Sequence, residues 1–141
     1  MKEKRYVMGD TAIARGALEA GVRVVAGYPG TPATEIVEEC LGHPGVHVEW
    51  ANNEKVAFEI CVGASLCHVR TMPVMKHNGT NYVTDFLMHV NFTGIRGGLV
   101  LISADDPGRF PPRTKRTHAS WSINTPTCRC SIRARPRKRR P

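Results

Sequence analysis

The first 108 residues predict an α/β fold, a doubly wound and mostly parallel sheet. Three observations carry that prediction. Strand-like and helix-like segments alternate about four times, as parallel strands joined by crossover helices must. The last strand-like run, "GGLVLISA" at 97–104, is apolar throughout, the pattern of a central strand covered on both faces. Polar clusters follow each strand-like run: "GYPGTP", "WANNE", "MKHNGTN" and "ADDPG". In doubly wound sheets ligands sit beyond the carboxyl ends of the strands, where these clusters fall.

Each element has a local reason. Asp10 or Thr11 is placed to cap a helix over 11–20, with Ile13, Ala17, Leu18 and Ala20 on one stripe and Gly21 to stop it. Residues 22–28, "VRVVAGY", read as a Val-rich strand. "PGTP" breaks it, and Thr31 as N-cap with Pro32 at the first helical position opens a helix over 32–41. "VHVEW" at 46–50 alternates as a strand. Glu54 to Arg70 reads as one long helix, with Val56, Ile60, Ala64 and Cys67 along a face. "TMPVMK" is a third strand, "HNGTN" a turn, and "YVTDFLMHVNF" a helix that Gly94 ends.

Charge divides the chain at Gly108. Residues 1–108 hold 9 Lys+Arg and 12 Asp+Glu, whereas 109–141 hold 11 Lys+Arg, no acid, and 5 of the 10 prolines. A block of like charge with little apolar surface predicts disorder. The expected organisation is therefore an α/β domain over 1–108 and a disordered basic tail over 109–141. A basic tail also raises the alternative of a small nucleic-acid-binding protein. Its only stacking aromatics are Phe110 and Trp121, thin for that role.

Other classes find less support. No apolar stretch reaches the roughly 20 residues of a membrane span, and "MKEKRYVMGD" lacks the apolar core of a signal peptide. A cytoplasmic protein with no membrane partner is the expectation. The five cysteines, Cys40, Cys61, Cys67, Cys128 and Cys130, are odd in number and loosely spaced, which argues against a disulfide framework or a zinc site.

The polar clusters each admit two roles. "GYPGTP" offers backbone N–H groups and a hydroxyl at a helix start, which suits a carboxylate or phosphate and equally suits a plain strand-to-helix turn. Glu54, in the first turn of a long helix, fits a charge–dipole contact or a carboxylate that exchanges a proton with a ligand. Lys55 and Glu59 lie at i, i+4 spacing and read as a solvated pair. Lys76, His77, Asn78 and Asn81 line a site or simply make a loop, and "ADDPG" is at least an Asp-rich turn.

Taken in order, "GDTAIARGALEAGV", "GYPGTPATEI", "VEWANNEKVAFEICVGAS", "VMKHNGTN" and "GGLVLISADDPG" resemble the start of the large (alpha) subunit of indolepyruvate ferredoxin oxidoreductases. The resemblance covers about residues 8–108 in one collinear run. It implies a thiamine-diphosphate-binding fold whose N-terminal domain, incomplete in residues 1–108, holds the cofactor's aminopyrimidine ring. By position it implies that Glu54 is catalytic, hydrogen-bonding the pyrimidine ring nitrogen and sharing a proton with it. It places Tyr28, Pro29, Lys76, His77 and Asn81 at the cofactor, and Gly30 and Thr31 at the substrate carboxylate. The implied activity is oxidative decarboxylation of indolepyruvate and related 2-oxoacids to acyl-CoA, with electrons passed to ferredoxin.

The implied partners are a C-terminal thiamine-binding domain, a ferredoxin-like domain, a small beta subunit, ferredoxin and coenzyme A. Magnesium and 4Fe–4S clusters belong to those further domains; no metal ligand is expected in this chain, and Cys128-x-Cys130 is not a cluster motif. The family's usual stretch is Met-Lys-His-Val-Gly-Leu-Asn, so Asn78 and Thr80 here replace two apolar residues.

The resemblance also accounts for the change at Gly108. The family continues with roughly Phe-Ser-Ser-Gln-Asn-Glu-Glu-Asp-Thr-Arg. One coding of that run, read one base late, gives Phe110 to Ala119 of this chain. A Met-Pro-Val-Phe-Asp-Pro-Arg run read the same way gives Cys128 to Ala134. The expectation is that residues from about 109 onward are out-of-frame translation, that nucleic-acid binding by them is incidental, and that the chain alone is inactive.

Overall fold

A computed structural model of the chain describes residues 6–104. The "DDPG" end of the fourth polar cluster and the expected tail over 109–141 lie outside the described residues.

Four parallel strands form one sheet in the order β2-β1-β3-β4. They are β1 (Val24–Gly27), β2 (His47–Trp50), β3 (Thr71–Lys76) and β4 (Ile102–Ala104). Val25 pairs with Val48 on one side and Met72 on the other, and Val74 pairs with Ile102. The helices are α1 (Gly9–Glu19), α2 (Thr34–Cys40), α3 (Glu54–Leu66), α4 (His77–Tyr82) and α5 (Thr84–Thr93).

Strand alternation sends side chains to two separate cores. Val25, Met72 and Val74 pack with Ala14 of α1 and Ile36, Val37 and Cys40 of α2. On the opposite face Met75 packs with Phe58 and Val62 of α3 and Leu87 and Val90 of α5, while Ala26 packs with Ala57 and Cys61. Helices therefore cover both faces, as the doubly wound prediction requires. The chain leaves β1 for β2 on one side and β3 for β4 on the other, so the winding reverses between β1 and β3. That crevice is the switch point where doubly wound sheets bind ligands.

Several local expectations are corrected. The cap of α1 is Met8 with no side-chain bond, not Asp10 or Thr11, because the helix begins earlier than its apolar stripe. The chain begins α2 at Thr34 with Ala33 as the cap, so Thr31 is not an N-cap. α3 stops at Leu66 rather than Arg70; His68 takes a left-handed φ of 64° and the chain turns into β3. The buried face of α3 is Ala57, Phe58, Cys61, Val62 and Ser65, with Cys67 exposed. It runs one position off the predicted stripe, because the large Phe58 sets which way the helix rolls. "HNGTN" is helical rather than a turn.

β4 is shorter than "GGLVLISA", half-buried, and last in the strand order among the described residues. The fully covered central strand is β3, buried from Thr71 to Met75. Gly94, with φ 75°, ends α5 as expected. No helix among the described residues is long and apolar enough to cross a membrane.

Candidate functional site at the strand carboxyl ends

Because all four strands are parallel, the turns after β1, β2 and β3 emerge at one edge of the sheet. The turn after β1 carries Tyr28, Pro29, Gly30 and Thr31, followed by a cis Thr31–Pro32 peptide. Tyr28, Pro29 and Thr31 are exposed. The Gly30 N–H donates to Thr34 Oγ1 at 3.0 Å, so it is occupied within the turn. A Cβ at Gly30 would stand 3.5 Å from Lys76 Cβ; the ends of β1 and β3 thus meet at the switch point. Behind the turn, a Cβ at Gly27 would stand 2.9 Å from Val37 Cγ2 and 3.5 Å from the Trp50 ring.

The turn after β2 positions Glu54. Asn53 caps α3, its Oδ1 accepting from the Val56 N–H at 2.9 Å. Glu54 is the first residue of that helix and half-buried. Its negative charge sits where the helix dipole is positive, worth about 0.3–1 kcal/mol. Its side chain lies against Gly79 of α4: a Cβ there would overlap Glu54 Cγ and stand 2.7 Å from Oε1. The floor beneath α3 is apolar. Cys61 is buried, which pushes its thiol up to about 12, partly offset by backbone hydrogen bonds at Ala26 and Met72.

The turn after β3 is the short helix α4. Lys76 ends β3, and Lys76 and His77 are both half-buried. Asn81 is exposed and lines a shallow groove of about 580 Å³ with Lys55, Tyr82, Thr84 and Asp85. Lys55 reaches Asp85 Oδ2 at 3.2 Å rather than Glu59, because α5 starts beside α3. Lys55 hydrogen bonding holds the exposed Asp85 carboxyl below its usual range. Thr80, at one of the two positions that depart from the family stretch, places its Oγ1 2.7 Å from Ser103 Oγ and so ties α4 to β4.

The structure thus gathers Gly30, Lys76 and Glu54 at one edge, with His77 adjoining and Asn81 facing the groove. Sequence reasoning missed four contributors: Asn53, Thr34, Gly79 and the Thr80–Ser103 pair. Asn53 was legible, an Asn directly before a helical run. Gly79 reads as a turn residue until α4 is seen to be helical. A carboxylate at a helix start, set against a bare glycine backbone, can share a proton with a ring nitrogen brought to it. No three His, Cys, Asp or Glu side chains among the described residues gather in a metal-holding group.

No family model matches the chain. Relatives do. Indolepyruvate oxidoreductase subunit IorA of Archaeoglobus fulgidus is 48% identical over 112 residues, covering 74% of this chain. By sequence the chain belongs with the IorA subunits. The IorA of Pyrococcus horikoshii is 43% identical over 117 residues, 81% of this chain. The chain spans about 18% of the length of both IorA proteins. The 2-oxoglutarate synthase subunit KorA of Methanothermobacter marburgensis is 35% identical over 116 residues, covering 79% of this chain and 31% of that subunit. A solved 2-oxoglutarate:ferredoxin oxidoreductase from Magnetococcus marinus superposes with a TM-score of 0.66 at 20% identity, covering 74% of this chain and 18% of its own. That last likeness supports the α/β fold of this IorA relative.

Proposed function

We propose that residues 1–108 form the pyrimidine-holding part of a thiamine-diphosphate-dependent 2-oxoacid:ferredoxin oxidoreductase acting on indolepyruvate and related aryl pyruvates. The observation that carries this reading is Glu54, held at the start of α3 by the Asn53 cap and set against Gly79, at the carboxyl edge of a doubly wound sheet. When bound, the cofactor supplies the electron sink for decarboxylation. Glu54 holds a proton at the pyrimidine ring nitrogen through its carboxyl oxygen. Tyr28 and Pro29 flank the ring from the turn after β1, and Lys76, His77 and Asn81 flank it from the turn after β3. Thr31 meets the substrate carboxylate with its hydroxyl; Gly30 shapes that turn while its N–H is engaged by Thr34.

A single pyrimidine domain forms one wall of a site that two domains close. The reading therefore includes a thiamine-binding domain with magnesium, a ferredoxin-like domain with 4Fe–4S clusters, a small beta subunit, ferredoxin and coenzyme A as partners, in the cytoplasm. It also includes out-of-frame translation from about residue 109, supported by the absence of any acid in 109–141, and no activity for this chain alone.

Two measurements test it. Calorimetric titration of the chain with thiamine diphosphate should show binding that Glu54→Gln weakens at least about tenfold; equal binding by both proteins would overturn the role of Glu54. Sequencing the gene beyond codon 108 should reveal a Ser-Ser-Gln-Asn-Glu frame one base away. If no long open frame exists there, the basic tail is genuine and nucleic-acid binding becomes the question.

A further inference from the structure

Gly79 stands out because all three atoms nearest to a Cβ built there lie closer than 3.0 Å and belong to one side chain, that of Glu54. The three heavy atoms nearest to a Cβ built there are Glu54 Cγ, Oε1 and Cδ. No backbone atom and no other residue is among them. Gly79 is nevertheless buried and inside a helix, a position where glycine is intrinsically poor and alanine is favoured. The space an alanine methyl would take is filled by the glutamate. At Gly63, in the interior of α3, a Cβ meets nothing within 4 Å, so absence of a Cβ is not demanded there.

The segment that bears Gly79 is fixed at both ends. Lys76 is the last residue of β3 and paired with Ala104. Thr80, next to Gly79, bonds Ser103 across to β4 at 2.7 Å, and Thr84 Oγ1 donates to the Thr80 carbonyl at 2.9 Å. Glu54 is fixed from its own side by the Asn53 cap. Two anchored elements therefore meet with the Glu54 carboxyl between them.

We propose that Gly79 is a positioning residue for Glu54: the bare backbone of α4 is the wall that sets where the Glu54 carboxyl can lie. The inference rests on the reading of Glu54 as the pyrimidine partner. A methyl at residue 79 displaces the glutamate, because the three atoms nearest to it all belong to that side chain and the chain can rotate. Gly79→Ala should therefore leave the fold intact and misplace the acid, and a misplacement near 1 Å can cost on the order of a hundredfold at a reacting centre.

The test uses the 141-residue chain as wild type, Gly79→Ala, Glu54→Ala and the double variant. The Glu54 χ1 rotamer is read from three-bond NMR couplings, the fold from the melting temperature. Affinity is measured for a pyrimidine probe, 4-amino-5-hydroxymethyl-2-methylpyrimidine. The expected result is a changed rotamer in Gly79→Ala, an unchanged melting temperature, and at least about a tenfold loss of probe affinity. The double variant should bind no worse than Glu54→Ala alone. An unchanged rotamer, or a Gly79→Ala protein that binds like wild type while Glu54→Ala does not, overturns the positioning role. Equal binding by wild type and Glu54→Ala overturns the reading of Glu54 itself, and the inference with it.

Discussion

The turn after β1 and the turn after β2 leave adjacent parallel strands in the same direction, yet they are held in different ways. The second is capped by a side chain, Asn53 to the Val56 N–H, and its acid is boxed between α3 and α4. The first has no side-chain cap on α2; its internal bonds, Gly30 N–H to Thr34 Oγ1 and Ala33 N–H to the Gly30 carbonyl, fold the loop onto itself and leave Thr31 exposed. On the proposed function, the difference is a division of labour. A group that shares a proton with a rigid ring needs a fixed position, and the turn after β2 would supply one. A hydroxyl that meets a small, mobile substrate needs only access.

Five substitutions and one titration can break or sharpen this contrast. Phe58, on the same helix as Glu54, is fully buried and meets Phe86 edge-on, ring centres 5.9 Å apart. Phe58→Ala should cost about 3–5 kcal/mol in urea unfolding; a loss under about 1 kcal/mol would mean α3 is not the rigid element supposed here. Next, the buried Cys61 thiol has its folded value raised from 9.0 to about 12. The unfolded chain then releases its proton first, so stability should fall as pH rises from about 9 toward 12. Cys61→Ala should flatten that slope, measured by melting temperature against pH.

Asn53→Ala should cost about 1 kcal/mol by loss of the cap, and Thr34→Ala about 0.5–1.5 kcal/mol by loss of the Gly30 bond. The smallest effect is Thr31→Ala, within about 0.5 kcal/mol, since an exposed side chain that caps nothing carries little stability. If Thr31→Ala costs as much as Asn53→Ala, the two turns are held alike and the contrast fails.

Much of this architecture was legible in the sequence, for physical reasons. Val-rich runs bounded by Gly and Pro marked β1, and the alternating "VHVEW" marked β2. Helices were legible wherever a long periodic stretch existed, as in α1, α3 and α5. What misled were positions where a local rule met a tertiary contact. Thr31 before Pro32 is a good capping signal, but Thr34 bonds Gly30 and the helix starts later. "HNGTN" has turn composition, yet packing against Glu54 and the bond to Ser103 hold it as a helix. "GGLVLISA" reads as central because it is apolar, yet it is only half-buried among the described residues, and strand order is set by the crossovers. Within the site, Glu54 and Lys76 were placed by resemblance. The Gly79 contact was invisible, since glycine carries no signal of what fills the space beside it.

The central claim is that the crevice between the ends of β1 and β3, walled by Glu54, receives a pyrimidine ring. Amide NMR of the chain during titration with thiamine diphosphate tests it most directly. The account predicts that the amides shifted most belong to Gly30, to Asn53 through Val56, and to Lys76 through Gly79. Shifts confined to Tyr82, Thr84 and Asp85, or to α1 and α2, would contradict it.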